Sequence, residues 1–415
     1  MKFKNLIFLC VSAFIFFSSS AFAATSAFEV MDIEFEGLGK TKESVIVDIL
    51  PRSLPTKMTQ AEITEFSRRV KNLGIFDFVQ VSNQSNKLLV KTKRKKTLSP
   101  IVDFSSGKTL EDSSFTLGFN EYDFLGTATR IGGKLSYAER GLNFTLWIEE
   151  HLYSPNRTAK EIEIYGLSSS FRFEDTDATW SRYRLGGFFE WILPFNYGSS
   201  FLYEFQLLYY NESYQDQENT IVGDLNRDHY IGGLFEIIYD RYRWDDLNPS
   251  GFKGVVEFRP GFMLEGDFRG EVRLKFLSAK QITPRTTLIA NGKLAAVNSG
   301  DVNHSLLVGS QEGVRGLSDS LYRSNAVGYA NLEIRHAFKL RERLYLQPIG
   351  FVDVARFQPM NKDGESQAWE NAISTGIGVR IVPTALTNFL FRADLARLHT
   401  PSDEWLLLVG ITQYF

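Results

Sequence analysis

From residue 99 to the end, the chain alternates apolar and polar side chains with a period of two, broken by short polar or glycine-containing stretches. In FKGVVEFRPGF, Phe252, Val256, Phe258 and Phe262 share one face, with Lys253, Glu257 and Arg259 on the other. In RGEVRLKFL, Val272, Leu274 and Phe276 oppose Glu271, Arg273 and Lys275. In ISTGIGVRIV, Ile373, Ile377, Val379 and Ile381 oppose Ser374, Gly376, Gly378 and Arg380. Such alternation predicts strands with one apolar and one polar face. Segments of this kind lie near 100–106, 114–122, 128–138, 143–151, 161–173, 180–192, 200–210 and 229–240. Eight more lie near 252–263, 269–282, 285–297, 327–338, 344–357, 372–382, 388–398 and 405–415. The total is sixteen, an even number that suits a closed antiparallel barrel. The first segment is the weakest, short and interrupted by Ser105, Ser106 and Gly107.

Residues 24–98 follow a different pattern. VMDIEFEG sets Val30, Ile33 and Phe35 among acids and predicts a strand ending at Gly37. TKESVIVDIL predicts a short helix with Val45 and Ile49 one turn apart, stopped by Pro51. TQAEITEFSRRVKNLG predicts a second helix, capped by Thr59 with Glu62 three residues on, its stripe being Ile63, Phe66, Val70 and Leu73. FDFVQVS and NKLLVKTKRK predict two more strands, joined at 83–86. The order is strand, helix, helix, strand, strand.

Composition then narrows the setting. Lys2 and Lys4, the apolar run 6–17 and the small-x-small site Ala21-Phe22-Ala23 make residues 1–23 a secretory signal peptide. The sole cysteine, Cys10, leaves with it, so the exported chain has no disulfide or thiol chemistry. Beyond it no stretch approaches the ~20 apolar residues of a spanning helix. Aromatic residues nevertheless make up 14% of the chain, and an exported chain rich in aromatics suits a transmembrane barrel, in which every second residue meets lipid. Residues 24–98 carry net charge +4 and residues 99–415 net −9, so the two regions differ electrostatically as well. The five histidines (His151, His229, His304, His336 and His399) show no metal-ligand spacing, and no G-x-S-x-G occurs. The chain is therefore not expected to be an enzyme or to carry a cofactor.

NLGIFDFVQV after the second helix, within that element order, resembles the POTRA (polypeptide-transport-associated) domain. A POTRA unit followed by sixteen strands resembles the BamA/TamA superfamily of outer-membrane proteins. The most specific element is QEGVRGLSDS, where Val314-Arg315-Gly316-Leu317 matches the family's V-R-G-F/Y tetrapeptide in the loop between strands eleven and twelve. The resemblance implies that this loop folds into the lumen and that Arg315 pairs with acids on the wall. FVDVA supplies Phe351 and Asp353 for the family's F-x-D-x-G on strand thirteen, with Ala355 in place of glycine. Strand twelve offers Asn331, Glu333 and Arg335 on its lumen face and Ala330, Leu332 and Ile334 on its lipid face. Strand fourteen matches G-x-G-x-R as Gly376, Gly378 and Arg380, and strand fifteen adds Arg392 and Asp394. Asn248, Pro249 and Gly251 match the turn preceding this part. A generic polar lining, as in any porin, is the alternative for Glu333, Arg335, Arg380, Arg392 and Asp394. Leu317 departs from the expected aromatic.

The fold class expected is an all-β transmembrane barrel of sixteen antiparallel strands (99–415) preceded by one small α+β POTRA domain (24–98) in the periplasm. The C-terminal LLLVGITQYF, ending at Phe415, is the recognition signal of an outer-membrane barrel. The resemblance implies an insertase or translocase, with the POTRA unit capturing a client and the seam between first and last strands templating or passing it. A passive outer-membrane pore or receptor barrel is the alternative reading. The partners implied are an unfolded polypeptide client, outer-membrane lipid and periplasmic accessory proteins, with no nucleic acid. The basic run Lys91, Lys93, Arg94, Lys95 and Lys96 suits either anionic headgroups or a solvated linker.

Overall fold

The computed structural model describes residues 27–105, 114–138, 141–150, 159–172, 179–194, 201–216, 228–243, 245, 247–264, 268–298, 304–309, 313–317, 322–361, 364–386 and 389–411. Residues 1–23, read above as a signal peptide, and Phe415 lie outside them. Two short strands open the chain, β1 (Ala27–Val30) and β2 (Asp32–Glu36), followed by α1 (Glu43–Val47), β3 (Thr56–Thr59), α2 (Gln60–Asn72), β4 (Phe76–Gln84) and β5 (Lys87–Arg94). β2 lies parallel to β5, and β5 antiparallel to β4, in a three-stranded sheet with β5 central. β1 pairs with β3 as a separate ribbon.

The expected single first strand is thus two. Val30 faces the core and is fully buried, whereas Met31 is 53% exposed, and the ladder breaks there. The first helix is also shorter than expected. After Val47 the chain tightens into i→i−3 bonds, Ile49 N to Ile46 O and Leu50 N to Val47 O, because Pro51 disfavours helical geometry at Leu50. α2 has a capping box: Thr59 Oγ1 accepts from the Glu62 amide at 3.2 Å and the Glu62 carboxylate accepts from the Thr59 amide at 2.8 Å. Its stripe buries Ile63, Phe66 and Val70 against Val30, Met58, Leu88 and Val90. On the outer face Glu65 accepts from Arg68 and Arg69. Burial opposes ionisation of Glu65, but these two guanidiniums outweigh it and hold its carboxyl below the ordinary value. A depressed folded pKa means stability that is complete above the carboxylate range and lost as pH falls through the lowered pKa. Glu65→Gln should therefore flatten part of the acid limb of the unfolding curve, measured by urea denaturation at a series of pH values. An unchanged limb would show the pair to be inert.

Sixteen long strands follow, with two short pieces among them: β6 (Leu98–Ser105), β7 (Ser114–Phe124), β8 (Thr129–Ala138), β9 (Gly141–Glu150), β10 (Ala159–Arg172), β11 (Thr179–Pro194), β12 (Phe201–Asp216), β13 (Asp228–Asp240), β14 (Gly251–Met263), β15 (Phe268–Thr283), β16 (Thr286–Val297), the short β17 (Leu306–Val308), β18 (Tyr322–His336), the short β19 (Phe338–Arg341), β20 (Leu344–Pro359), β21 (Glu370–Pro383), β22 (Phe391–Thr400) and β23 (Glu404–Ile411). Each pairs antiparallel with the next, and β23 returns to β6, closing the barrel. Closure satisfies the backbone groups that an open sheet would leave at its edges. Leu185, Leu207, Leu332, Ile334 and Ile377 point outward and are exposed, while Glu212, Glu333, Asp353 and Arg380 point inward and are buried. Strand twelve, β18, starts at Tyr322 rather than near 327. A register shift between Ser324 and Val327 breaks the alternation that the sequence shows only beyond it. Among the described residues no helix is long and apolar enough to cross a membrane.

The N-terminal unit is docked on one rim of the barrel. Tyr122 and Ala128, flanking the β7–β8 turn, are part of the unit's own hydrophobic core. Between them Asp123 is fully buried and accepts from Arg94 Nη2 at 2.8 Å, from Thr41 Oγ1 at 2.8 Å and from the Ala128 amide at 2.9 Å. In the same turn Gly126 takes φ +75°, and its carbonyl accepts from the Lys42 amide; a side chain there would lie 2.1 Å from the Lys40 carbonyl oxygen. Further contacts join Asp77 to Arg343 at 3.1 Å, Arg68 to the Tyr242 carbonyl at 3.3 Å, and the Lys96 amide to the Ala385 carbonyl at 3.1 Å. The basic run is accordingly no loose linker: Lys91 pairs with Glu36, Arg94 with Asp123, and Lys95 is 7% exposed.

Candidate functional site

The loop between β16 and β18 turns into the barrel, where Arg315 is 0% exposed. Its guanidinium grips Asp353 with two parallel bonds, Nε to Oδ2 at 2.7 Å and Nη2 to Oδ1 at 2.8 Å, while its own amide donates to Oδ2 at 3.2 Å. Nη1 donates to Glu333 Oε2 at 2.9 Å and lies 3.6 Å from Asp394. The guanidinium also stacks 3.5 Å from the centre of the Phe351 ring. Planarity lets one side chain form the fork with Asp353 and the stack on Phe351 together. Strand pleat explains the wall partners: Phe351 and Asp353 are two apart on β20, so both face inward. Across the ladder Asp353 is level with Asn331 of β18, whose side-chain amide donates to the Gly313 carbonyl.

Around this clip the charges balance. Arg335 donates to Glu333, Arg380 pairs with Asp394 through both amino groups and approaches Glu333 at 3.6 Å. Three cations (Arg315, Arg335, Arg380) thus meet three anions (Glu333, Asp353, Asp394), all at most 2% exposed. Two glycines of β21 make room. A Cβ at Gly376 would lie 2.3 Å from the Phe351 ring, and one at Gly378 2.0 Å from Asp394. Gly316 is needed for a different reason, its φ of +97°. Val314 and Leu317 pack with Phe357, Ala372 and Leu398. Leu317, at the position where the family pattern has an aromatic, is 2% exposed, so an aliphatic side chain closes this cluster.

Arg392 belongs elsewhere. It donates to Asp103 of β6 at 3.1 Å, reaching across β23, which contributes Gly410 at that level. A Cβ on Gly410 would lie 2.5 Å from the Asp103 carboxylate. The first and fifteenth strands are thereby linked over the sixteenth. Beneath this link the described part of the ladder pairs Val102–Ser105 of β6 with Leu408–Ile411 of β23.

Three other partners carry no sequence signal beyond their charge. His304, which the sequence marks only as lacking metal spacing, pairs with buried Glu212 of β12 at 3.1 Å. Its loop is therefore held on two walls, by Glu212 on strand seven and by Asp353 on strand thirteen. Asp103 and Asp123 are single acids whose partners lie far along the chain. Asn248 accepts from Thr287 at 3.3 Å near the rim. Among the described residues, no group of three or more His, Cys, Asp or Glu side chains is placed to hold a metal ion.

No family model matches the chain, and no curated protein matches it in sequence. Solved structures do. BamA from Haemophilus ducreyi lacking POTRA domains 1–3 aligns with TM-score 0.55 at 16% identity, covering 94% of this chain and 86% of that one. CdiB from Acinetobacter baumannii aligns with TM-score 0.61 at 11% identity (93% and 74%), and CdiB from Escherichia coli with 0.59 at 9% (95% and 92%). At such identities the likeness is one of fold, and the chain shares with BamA and CdiB the fold of a closed sixteen-stranded barrel, as its resemblance to the BamA/TamA superfamily implies.

Proposed function

We propose that this chain is an outer-membrane insertase or translocase for polypeptides, acting without bond-breaking chemistry or a cofactor. The observation that carries the reading is the seam, where Arg392 of β22 and Asp103 of β6 are linked from the lumen side over β23. A passive pore has no use for a separately latched joint. The docked N-terminal unit supports the same reading as a periplasmic POTRA domain. Its sheet order leaves one edge of β2 and one of β4 unpaired within the sheet, and an unfolded client can add a strand to such an edge. The seam then opens laterally and templates or passes the client. Outer-membrane lipid and periplasmic accessory proteins complete the expected partners, and nucleic acid is not among them. A pore or receptor barrel is the second reading, favoured by the polar inner face.

The test is a locked seam. Phe104 and Val409 face each other across it, and facing Cα atoms in an antiparallel pair lie about 4.5–5.5 Å apart, within disulfide reach. Phe104→Cys with Val409→Cys should give an oxidised protein that still forms a heat-modifiable barrel yet fails to support growth or client assembly, and a reductant should restore it. A locked protein that works as well as its parent excludes lateral opening and returns the chain to the pore reading.

A further inference from the structure

The turn between β13 and β14, which carries Asn248 and Pro249, has no part in the seam. It belongs to the rim on which the N-terminal unit docks, but it does not stay there. The ladder runs on to Arg243 and Ser250, which exchange backbone bonds at 2.7 and 3.1 Å. Asp245 Oδ1 then accepts from the Leu247 and Asn248 amides, both at 3.0 Å, and shapes the tip. The tip leans across the lumen. Gln347 of β20 donates to the Leu247 carbonyl at 2.9 Å, and Thr287 of β16 donates to Asn248 Oδ1 at 3.3 Å. Tyr242 packs inward with Ala279 of β15 and Ile289 of β16. A turn rooted on strands eight and nine is therefore held by strands ten, eleven and thirteen.

Two of these wall partners are immediate neighbours of the arginine clip. Thr287 stands opposite Arg335 in the ladder, and Gln347 stands opposite Arg380. Both are buried as deeply as the arginines beside them. The charges of the clip thus have the β16–β18 loop on one side and this turn on the other. That cover matters energetically, because the attraction between two charges falls severalfold when water replaces protein around them. The N-terminal unit reaches the same turn. Arg68 of α2 donates to the Tyr242 carbonyl at 3.3 Å, while Glu65 holds that guanidinium from the helix side with both carboxylate oxygens.

We infer that this turn couples the two ends of the barrel, so that the seating of the N-terminal unit on one rim sets the strength of the loop lock facing the other. With the unit docked, α2 keeps the turn seated, and the seated turn shields Arg335, Arg380 and their acids from water. With α2 released, the turn tips out of the lumen, water reaches the clip, and the loop held by Arg315 loosens. Coupling between two sites is reciprocal, so freeing the loop must also loosen the turn. None of this depends on the transport reading, since a pore with the same turn would be coupled in the same way.

The chain has no cysteine beyond Cys10, so in protein starting at residue 24 Leu247→Cys supplies a single reporter thiol. Its rate of labelling by a maleimide follows the turn, and cleavage of the β16–β18 loop by proteinase K follows the clip. Both are read in detergent micelles, with heat-modifiable migration as the check of folding. Gln347→Leu and Thr287→Val each remove one donor to the turn and should each speed loop cleavage about fivefold. In an Arg315→Ala background the same changes should add nothing, because the loop is already free. Arg315→Ala should in turn speed labelling at position 247. Arg68→Ala, which leaves the barrel wall untouched, should speed both readouts about twofold. Ser136→Ala, which removes a hydrogen bond from Thr116 on the wall of strands two and three, is the control and should change neither. Unchanged loop cleavage in Q347L/T287V, unchanged labelling at position 247 in Arg315→Ala, an Arg68→Ala protein equal to its parent in both readouts, or equal loosening by Ser136→Ala would each overturn the proposal.

Discussion

Arg315→Ala should leave a closed barrel whose loop is released and whose function is impaired. The barrel assembles because its ladder does not involve this side chain. Removing one member of a buried ion network strands its partners, at roughly 3–5 kcal/mol, whereas a solvated loop arginine would cost within about 0.5 kcal/mol. The network predicts more than a loss. With Arg315 gone, two cations face three anions, and with Asp353 gone the excess reverses. The double variant returns to two against two, so it should be no worse than either single variant and should depart strongly from additivity. Arg315→Lys should rescue in part, since an ammonium keeps the charge but not the fork with Asp353 or the flat stack on Phe351. Proteolysis from the loop side in proteoliposomes, together with urea unfolding, reads both effects. Additive single-variant effects, or an Arg315→Ala protein as protease-resistant as the parent, would reduce the clip to an ordinary lining contact.

Asp123→Ala should uncouple the N-terminal unit from the barrel while leaving each folded. This carboxylate ties Arg94 and Thr41 of the unit to the amide of Ala128 on the rim. The Arg94 side chain is 22% exposed, so water recovers part of the loss; the cost should fall toward the lower end of the ~3–5 kcal/mol for a buried pair. Distances between spin labels placed on α2 and on the barrel should spread from one narrow peak to a broad distribution. If the peak stays narrow, the apolar packing of Tyr122 and Ala128 suffices to hold the joint.

Much of this architecture is legible in the chain because alternation is a repeated signal. Each of the sixteen strands contributes several residues to it, and a single misplaced one, such as the bulge near Ser324, moves a boundary without hiding the strand. The clip is legible for another reason: Arg315, Glu333, Asp353, Gly376 and Gly378 stand in short local patterns whose order along the chain matches the order around the wall. The seam latch has no such local trace. Asp103 is one acid in a weak strand, and its importance depends on Gly410 leaving a gap for Arg392 to reach through. Asp123 is equally silent until the unit folds back on the rim. The short first helix shows a third limit, since the buried Ile49 keeps the expected spacing although the helix has already ended at Val47.

The loop held at both ends inside the barrel has a mechanical consequence. A hydrogen-bonded ring of strands resists stretching along its circumference far better than flattening across a diameter. Pinning His304 to strand seven and Arg315 to strand thirteen places a strut along one chord of that ring. With the strut in place flattening along that chord is opposed, and lateral load on the wall is borne by polar contacts in the interior as well as by the ladder. Release of either end leaves a hoop free to become elliptical under the same load.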